Sequence, residues 1–439
     1  MNAVIIAGGR GTRLHPLTGD AIPKALVPVA GIPIIHRQFE LLSRYGCNEV
    51  VVLAGHLHEA LEAGCAREAE RLGLRLHFRI ESQPMGTGGA LPSARDLVGN
   101  DPFLVLCGDI ALEMDVSRLL QFHVEHNAAA TLVVHPNDHP HTSDLVLADS
   151  DHHILGFLPR GIRDGRYHRN LVFGSVYVLS PAVFDYITPD ERQDLNNEVF
   201  PRMVADGQRL LAYNTPEYLR DVGTVERLHL VEEDIASGRM ARMNWSHRRP
   251  AVFLDRDGVL IQDAGPRGTT HPEDVQLHDD AIEAVRAINQ AGHLAVLITN
   301  QPGVAKGFLT LDVLDEIHGC LDMKLGEGGA WLDRIYVCPH HPDGGFEGER
   351  AEFKMDCDCR KPKPGLLYRA ARELPLDLGA SCFIGDSWRD IGAARAVGIP
   401  ALGVRTGNGC AASGDVAEPD ALFDTVLDAV TYWLQTGRP

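Results

Sequence analysis

Short runs rich in Val, Ile, Leu and Ala alternate along the chain with stretches whose apolar residues recur at helical spacing. NAVIIA at 2–7, NEVVVLAG at 48–55, FLVLCGD at 103–109 and ATLVVH at 130–135 are apolar almost throughout. That is the pattern of strands covered on both faces, as in parallel sheets joined by helices. Between the first two, IIHRQFELLSRYG places apolar residues three and four apart and predicts a helix. After residue 250 the alternation starts again: AVFLD, then DAIEAVRAINQAG as helix, HLAVLITN, LDVLDEIHGCLDMKLGEG as helix, RIYVC, SCFIGD and PALGV. The pattern predicts two α/β, doubly wound, Rossmann-like domains, at 1–240 and 249–439, with 241–248 as linker. The stretch 229–250, HLVEEDIASGRMARMNWSHRRP, reads as a last helix running into a polar, basic, aperiodic connector. A chain of 439 residues also exceeds what one hydrophobic core usually organises.

Composition fits folded domains: 44% hydrophobic and 23% charged, with Gly 44 and Pro 26 scattered as turn residues rather than gathered in tracts. A formal charge of −19 disfavours nucleic acid and anionic membrane surfaces as partners. No run approaches the roughly 18 apolar residues of a spanning helix. MNAVIIAGGRG has too short an apolar stretch and no basic start for a signal peptide. Nine cysteines, an odd number without a secretion signal, make disulfides unexpected. These features together predict a cytoplasmic enzyme with small-molecule substrates, and leave a homo-oligomer open.

After the first strand comes GGRGTRLHPLT. Gly8, Gly9 and Gly11 let backbone amides approach an anion, and Thr12, Arg13 and the later Lys24 add polar and positive groups. The loop is neither a dinucleotide fingerprint, because Pro16 interrupts the helix that should follow, nor a Walker loop. With PK at 23–24, ESQPMGTGGAL at 81–91, LCGDI at 106–110 and YLRDVGTVERL at 218–228, it resembles the sugar-1-phosphate nucleotidylyltransferases over most of 1–236. In that family a sugar phosphate oxygen attacks the α-phosphate of a nucleoside triphosphate and expels pyrophosphate. The resemblance implies that Arg13 and Lys24 hold phosphates and that Asp109 and Asp221 bind Mg²⁺. It also implies that Gln83 with Gly86, Thr87, Gly88 and Gly89 faces the base and ribose. In NLVFGSVYVLS it makes Asn170 and Gly174 candidates for the sugar, with Glu198 a weaker one. Two plainer readings stay open: Asp109 as a turn carboxylate, and Asp221 as the cap of the helix at TVERL.

In AVFLDRDGVL, Asp255 and Asp257 are two apart and emerge on the same side of an extended backbone, at a strand end where doubly wound folds bind ligands. Thr299 and Asn300 end the next strand, CRKPKPG offers Arg360, Lys361 and Lys363, and Asp386 ends CFIGD, with Asp390 four further on. This order resembles the haloacid dehalogenase-like (HAD) phosphatases over 250 to about 430. The family mechanism implies Asp255 as nucleophile and Asp257 as proton donor and acceptor. It further implies Mg²⁺ on Asp255, Asp386 and the Asp257 carbonyl, with Lys361 and Thr299 steadying the transferring group. Asp390 is then either a residue supporting the metal ligands or a charge on a helix face. Cys338, His340, Cys357 and Cys359 form a CxH and a CxC pair suited to a structural zinc, with His341 as substitute for His340. The remaining cysteines show no ligand pairing. About forty residues separate Asp257 from Thr299, too few for a large cap domain.

The zinc pattern narrows the resemblance to heptose-bisphosphate phosphatases, with histidinol phosphatases as near relatives. A phosphatase joined to a sugar nucleotidylyltransferase implies heptose activation: loss of the 7-phosphate from heptose 1,7-bisphosphate, then nucleotidyl transfer, from GTP, to heptose 1-phosphate. A hexose 1-phosphate transferase paired with another phosphatase, and a non-catalytic first domain, remain alternatives.

Overall fold

The structure is a computed structural model that describes residues 1–19, 21–161, 164–410 and 418–437. Contacts divide the chain into two units. The first comprises Met1–His135, Val146–Pro159 and Phe173–Asn244; the second comprises Pro136–Leu145, Arg160–Val172 and Trp245–Pro439.

In the first unit, strand Asn2–Ile6 lies between Glu49–Ala54 and Phe103–Cys107, parallel to both. Ile5, Val50, Val52, Leu104 and Leu106 have no exposed surface, which is why those runs lack polar alternation. Helix Ile34–Arg44 covers the sheet with Ile35, Phe39, Leu41 and Leu42. The sheet is mixed rather than wholly parallel, since Val172–Leu179 runs antiparallel to Phe103–Cys107. Strand Arg75–Ile80 was not read from the sequence. Its RLHFRI alternates charged and apolar residues because it is the sheet's edge. A separate ribbon pairs Ile110–Glu113 with Tyr218–Asp221, Asp221 facing Ile110.

The second unit carries a six-stranded parallel sheet in the order Arg334–Cys338, Leu294–Asn300, Arg249–Leu254, Leu376–Gly385, Ala401–Val404, Ala421–Phe423. Arg249–Leu254 is the point from which the chain winds outward in both directions, so the residues after it open into the crevice where such folds hold ligands.

Pro136–Leu145 and Arg160–Val172, expected with residues 1–240, group with this second unit. They pack on helix Leu311–Glu327. A Cβ on Gly319 would lie 2.8 Å from the Tyr167 backbone, and one on Gly326 would collide with the Pro140 ring. Two glycines inside a helix, each costing about 1 kcal/mol of propensity, are therefore explained by these close approaches. No described helix is long and apolar enough to cross a membrane.

Candidate active sites

Asp255 follows strand Arg249–Leu254, and Asp386 follows the neighbouring strand Leu376–Gly385. Oxygens of Asp255, Asp386 and Asp390 lie within 4.8 Å of one another. Burial pushes Asp255 up to about 7, a rise that Lys361 opposes and that Asp390 and Asp386 reinforce. Burial likewise lifts Asp386 to about 6. Carboxylates buried together in this way ionise fully only beside a cation, and their oxygens suit a hard divalent ion. Asp390 is not a helix-face charge. It has no exposed surface; one oxygen accepts from Ser387 N and Oγ at 3.0 and 2.7 Å, and the other pairs with Lys361 Nζ at 2.6 Å.

Lys361 Nζ meets Asp255 Oδ1 at 2.8 Å, Asp390 Oδ1 at 2.6 Å and the Ile298 carbonyl at 2.8 Å. Two carboxylates and a carbonyl thus surround the ammonium. Burial would lower its pKa, but the two carboxylates outweigh that and raise it. Lys361 thus balances the charge of Asp255 and Asp390. Asn300 holds Lys361: its Oδ1 accepts from Lys361 N at 3.0 Å and its Nδ2 donates to Lys361 O at 3.1 Å.

Gln301, which the sequence reading passed over, organises the opposite side. Its Oε1 accepts from Arg256 Nη2 at 2.8 Å, so its Nε2 must be the end that donates to Asp257 Oδ2 and Thr299 Oγ1, each at 2.8 Å. Because Thr299 accepts there, its own hydroxyl hydrogen is left to donate elsewhere. Asp257 also accepts from Thr269 Oγ1 at 3.3 Å. Despite burial its pKa is lowered, with Arg256 and Gln301 holding the charged form. The neighbouring Thr270 and His271 line a cleft of about 420 Å³ with Phe308, Thr310 and Arg350.

Asn408, also missed, donates to Asp386 Oδ2 through its backbone N at 2.7 Å and its side chain at 2.9 Å. Gly258 and Gly407, at φ +80° and +59°, flank that carboxylate so closely that a Cβ on either would strike Asp386 Oδ2.

Cys338, His340, Cys357 and Cys359 converge. Cys357 Sγ lies 3.5 Å from Cys338 Sγ and 3.2 Å from Cys359 Sγ, and His340 Nδ1 lies 3.2 Å from Cys359 Sγ. Ligand atoms around a tetrahedral zinc with bonds near 2.3 Å stand about 3.8 Å apart, so the donor set fits after slight expansion. His340, not His341, completes it. Arg360 Nη1 donates to the His340 carbonyl at 3.3 Å and braces this loop.

In the first unit, Gly11 takes φ +62° to begin the turn Thr12–Leu14, and a Cβ there would lie 3.0 Å from Lys24 Cβ. Lys24 pairs with Asp109, and Arg227 pairs with Asp221. The Ile110–Asp221 register and a 2.9 Å bond from Val222 N to Asp109 O bring the two acids to one end of the ribbon. Arg13 reaches the same place: a Cβ on Gly223 would lie 2.9 Å from its Nη2 and 2.8 Å from Asp221 Oδ1. Asp221 does not cap the following helix; Thr224 does, accepting from Arg227 N. Gly8 borders the half-buried Glu81, whose carboxylate would lie 2.6 Å from a Cβ at Gly8 and whose pKa burial raises. The sequence reading passed over Glu81.

Other expected contacts are occupied by the protein itself. The amides of Gly88 and Gly89 donate to Gln193 O at 2.9 and 3.2 Å, and Gly86, at φ +74°, leaves no room for a Cβ beside that oxygen. Thr87 Oγ1 donates to Asp194 Oδ2 at 2.9 Å. Gln83 stays exposed. Asn170, a sugar candidate, is buried in the second unit with both ends of its amide on the Asn137 backbone, at 3.2 and 2.7 Å. Gly174 is pressed against Val133 O, 3.0 Å from where a Cβ would stand. Glu198 Oε1 accepts from Asp194 N at 3.0 Å.

The nucleotidyl transferase family matches residues 2–238, and the HAD-hydrolase-like family matches residues 358–429. The chain is 42% identical over 182 residues to the D-glycero-beta-D-manno-heptose-1,7-bisphosphate 7-phosphatase of Yersinia pestis, covering 41% of this chain and 92% of that protein. It is 32% identical over 226 residues to the mannose-1-phosphate guanylyltransferase catalytic subunit beta of Xenopus tropicalis, covering 51% of this chain and 61% of that one. The crystal structure of HddC from Yersinia pseudotuberculosis aligns with TM-score 0.46 and 24% identity, over 53% of this chain and 99% of that one. The chain belongs to the nucleotidyl transferase family through its first half and, through its second, to the HAD-like phosphatase family of the Yersinia pestis protein.

Proposed function

We propose that the chain carries out two consecutive steps of nucleotide-activated heptose synthesis. The second unit removes the 7-phosphate from heptose 1,7-bisphosphate, and the first transfers GMP from GTP to the resulting heptose 1-phosphate, releasing pyrophosphate. The observation that carries the reading is the joining, on one chain, of a complete relative of heptose-bisphosphate phosphatases to a nucleotidyltransferase whose Arg13, Lys24, Asp109 and Asp221 converge.

In the phosphatase, Asp255 attacks phosphorus and becomes the aspartyl phosphate. Asp257 relays to the departing sugar oxygen the proton that the phosphate monoanion carries in, and then takes one from the water that releases phosphate. Thr299 offers its hydroxyl hydrogen to the transferring group. Asp255 and Asp386 would hold Mg²⁺, which offsets the repulsion between carboxylate and phosphate. Cys338, His340, Cys357 and Cys359 would hold zinc, a structural tie for a glycine-rich loop, and their thiols fit a reducing, cytoplasmic setting.

In the transferase, Arg13 and Lys24 align the triphosphate, and Asp109 with Asp221 would hold Mg²⁺. Half-buried Glu81 beside Gly8 fits guanine, whose N1–H and N2–H₂ present paired donors to one carboxylate.

Purified protein with Mg²⁺, GTP and each anomer of D-glycero-D-manno-heptose 1,7-bisphosphate should yield GDP-heptose by mass, with phosphate and pyrophosphate in equal amounts. Asp255→Asn should stop phosphate release, and Asp109→Asn nucleotidyl transfer only. The guanylyltransferase relative favours a second reading, in which the sugar is mannose 1-phosphate; GDP-mannose formed in preference to GDP-heptose would select it.

A further inference from the structure

The reading above uses Asp255, Asp257, Thr299, Lys361 and Asp386, but gives no role to Arg256 or His318. Arg256 is the largest of the wholly buried side chains. It sits at the bend after strand Arg249–Leu254, where the turn of the chain carries its guanidinium into the interior beside Asp257. A charge placed there is costly unless paired on every side. Its fork is fully directed: Nε to Asp257 Oδ2 at 3.1 Å, Nη2 to Asp257 Oδ1 at 3.0 Å and to Gln301 Oε1 at 2.8 Å, and Nη1 toward His318 Nε2 at 3.3 Å.

We propose that Arg256 and His318 are positioning residues for the phosphatase's proton-transfer group Asp257, Arg256 acting on it directly and His318 through Arg256. The inference rests on the phosphatase reading given above. A guanidinium only donates, so His318 Nε2 accepts, which makes the ring neutral with its hydrogen on Nδ1. Burial keeps it neutral, and the guanidiniums of Arg256 and Arg169 add to that. Arg169 in turn is fixed by Asp322, one turn further along the same helix, at 2.8 Å. His318 therefore fixes the far end of the Arg256 fork, while the near end grips both Asp257 oxygens and sets the plane of the carboxylate.

That plane matters because the P–O bond to the sugar breaks with its electron pair going to the sugar oxygen, which must receive, through Asp257, the proton that the phosphate monoanion brings. A basic alkoxide leaving group needs that proton; p-nitrophenolate leaves without it. A misplaced Asp257 therefore penalises alkyl phosphates and spares p-nitrophenyl phosphate, whereas general damage to the site penalises both.

The full chain with Mg²⁺ would be assayed on heptose 1,7-bisphosphate and on p-nitrophenyl phosphate as wild type, Arg256→Met, His318→Leu and His318→Gln. The ratio of the two kcat values is independent of the folded fraction, so partial unfolding does not obscure it. The expected result is an alkyl-to-aryl ratio lowered about 100-fold in Arg256→Met and by a smaller factor in His318→Leu. It should be restored in His318→Gln, whose amide oxygen accepts the same bond. Equal losses on both esters, or His318→Leu with the wild-type ratio, overturn the inference alone. Wild-type protein that hydrolyses neither ester overturns the phosphatase reading and the inference with it.

Discussion

Lys361 Nζ lies 2.8 Å from Asp255 Oδ1, and the ammonium is 2% exposed. It also pairs with Asp390 and donates to the Ile298 carbonyl, so this cation belongs to the carboxylates. Lys361→Met leaves Asp255 and Asp390 uncompensated in the interior, and breaking a buried pair in this way costs about 3–5 kcal/mol. Urea unfolding of the variant should show that loss, and its phosphate release should fall at least about 100-fold. Wild-type phosphate release from a folded Lys361→Met protein would contradict the role given to this pair.

The Cys338, His340, Cys357 and Cys359 cluster should carry one zinc per chain by elemental analysis. Cys357→Ser, or dialysis against a strong chelator, should remove it, lower the melting temperature of the second unit and slow phosphate release. GDP-sugar formation from a supplied sugar 1-phosphate should be unchanged.

Asp109 and Asp221 meet through the pairing of Ile110–Glu113 with Tyr218–Asp221. Asp109→Asn and Asp221→Asn should each lower pyrophosphate release by about 100-fold or more, with phosphate release from the bisphosphate intact. A variant that kept its transfer rate would remove that acid from the metal-binding pair.

Gly86→Ala tests whether the glycines after Pro84 serve the protein or the nucleotide. At φ +74°, with the Gln193 carbonyl in the way, an added methyl should cost about 1–3 kcal/mol of stability even without ligand. Denaturant titration of the nucleotide-free protein measures this directly.

His123 is buried between Thr131 Oγ1 at 2.9 Å and Ser180 Oγ at 3.1 Å, and burial lowers its pKa to about 4. The unfolded chain binds a proton near the ordinary 6.5, whereas the fold holds the ring neutral. This contribution is therefore complete above pH 6.5, shrinks as pH falls below it, and is fully lost once pH passes the folded value of about 4. The span corresponds to about 3 kcal/mol. His123→Gln should flatten that part of the stability-against-pH curve, as measured by thermal unfolding at several pH values.

Most of the second unit's site was legible because its residues sit at strand ends, where periodicity marks the strand and the next residue marks the crevice. Asp255, Thr299 and Asp386 were singled out in that way, as were Cys338, His340, Cys357 and Cys359, which converge, from their spacing. Gln301 and Asn408 were not, since each acts by bonding a residue distant in sequence and neither type has a motif of its own. In the first unit the charged cluster was legible as a set, but its Lys24–Asp109 and Arg227–Asp221 pairing depends on register, which hydrophobic pattern does not specify. The bonds of Asn170 to Asn137 and of the 86–89 loop to Gln193 were not legible, because a glycine or an amide that serves a neighbouring backbone looks, in one dimension, like one that serves a ligand.

The placement of Pro136–Leu145 and Arg160–Val172 in the second unit bears on how the two activities can be taken apart. A gene cut at codon 245 would separate the second unit from two segments that pack with it. The downstream piece would leave behind Arg169 and Asn170, strand the buried Asp322 carboxylate without its guanidinium, and bare the glycine-lined stretch of helix Leu311–Glu327 to water. The halves are consecutive in family assignment but interleaved in packing, so they cannot be exchanged as cassettes at that joint. Single-residue knockouts in the full-length chain are the sound way to silence one activity and retain the other.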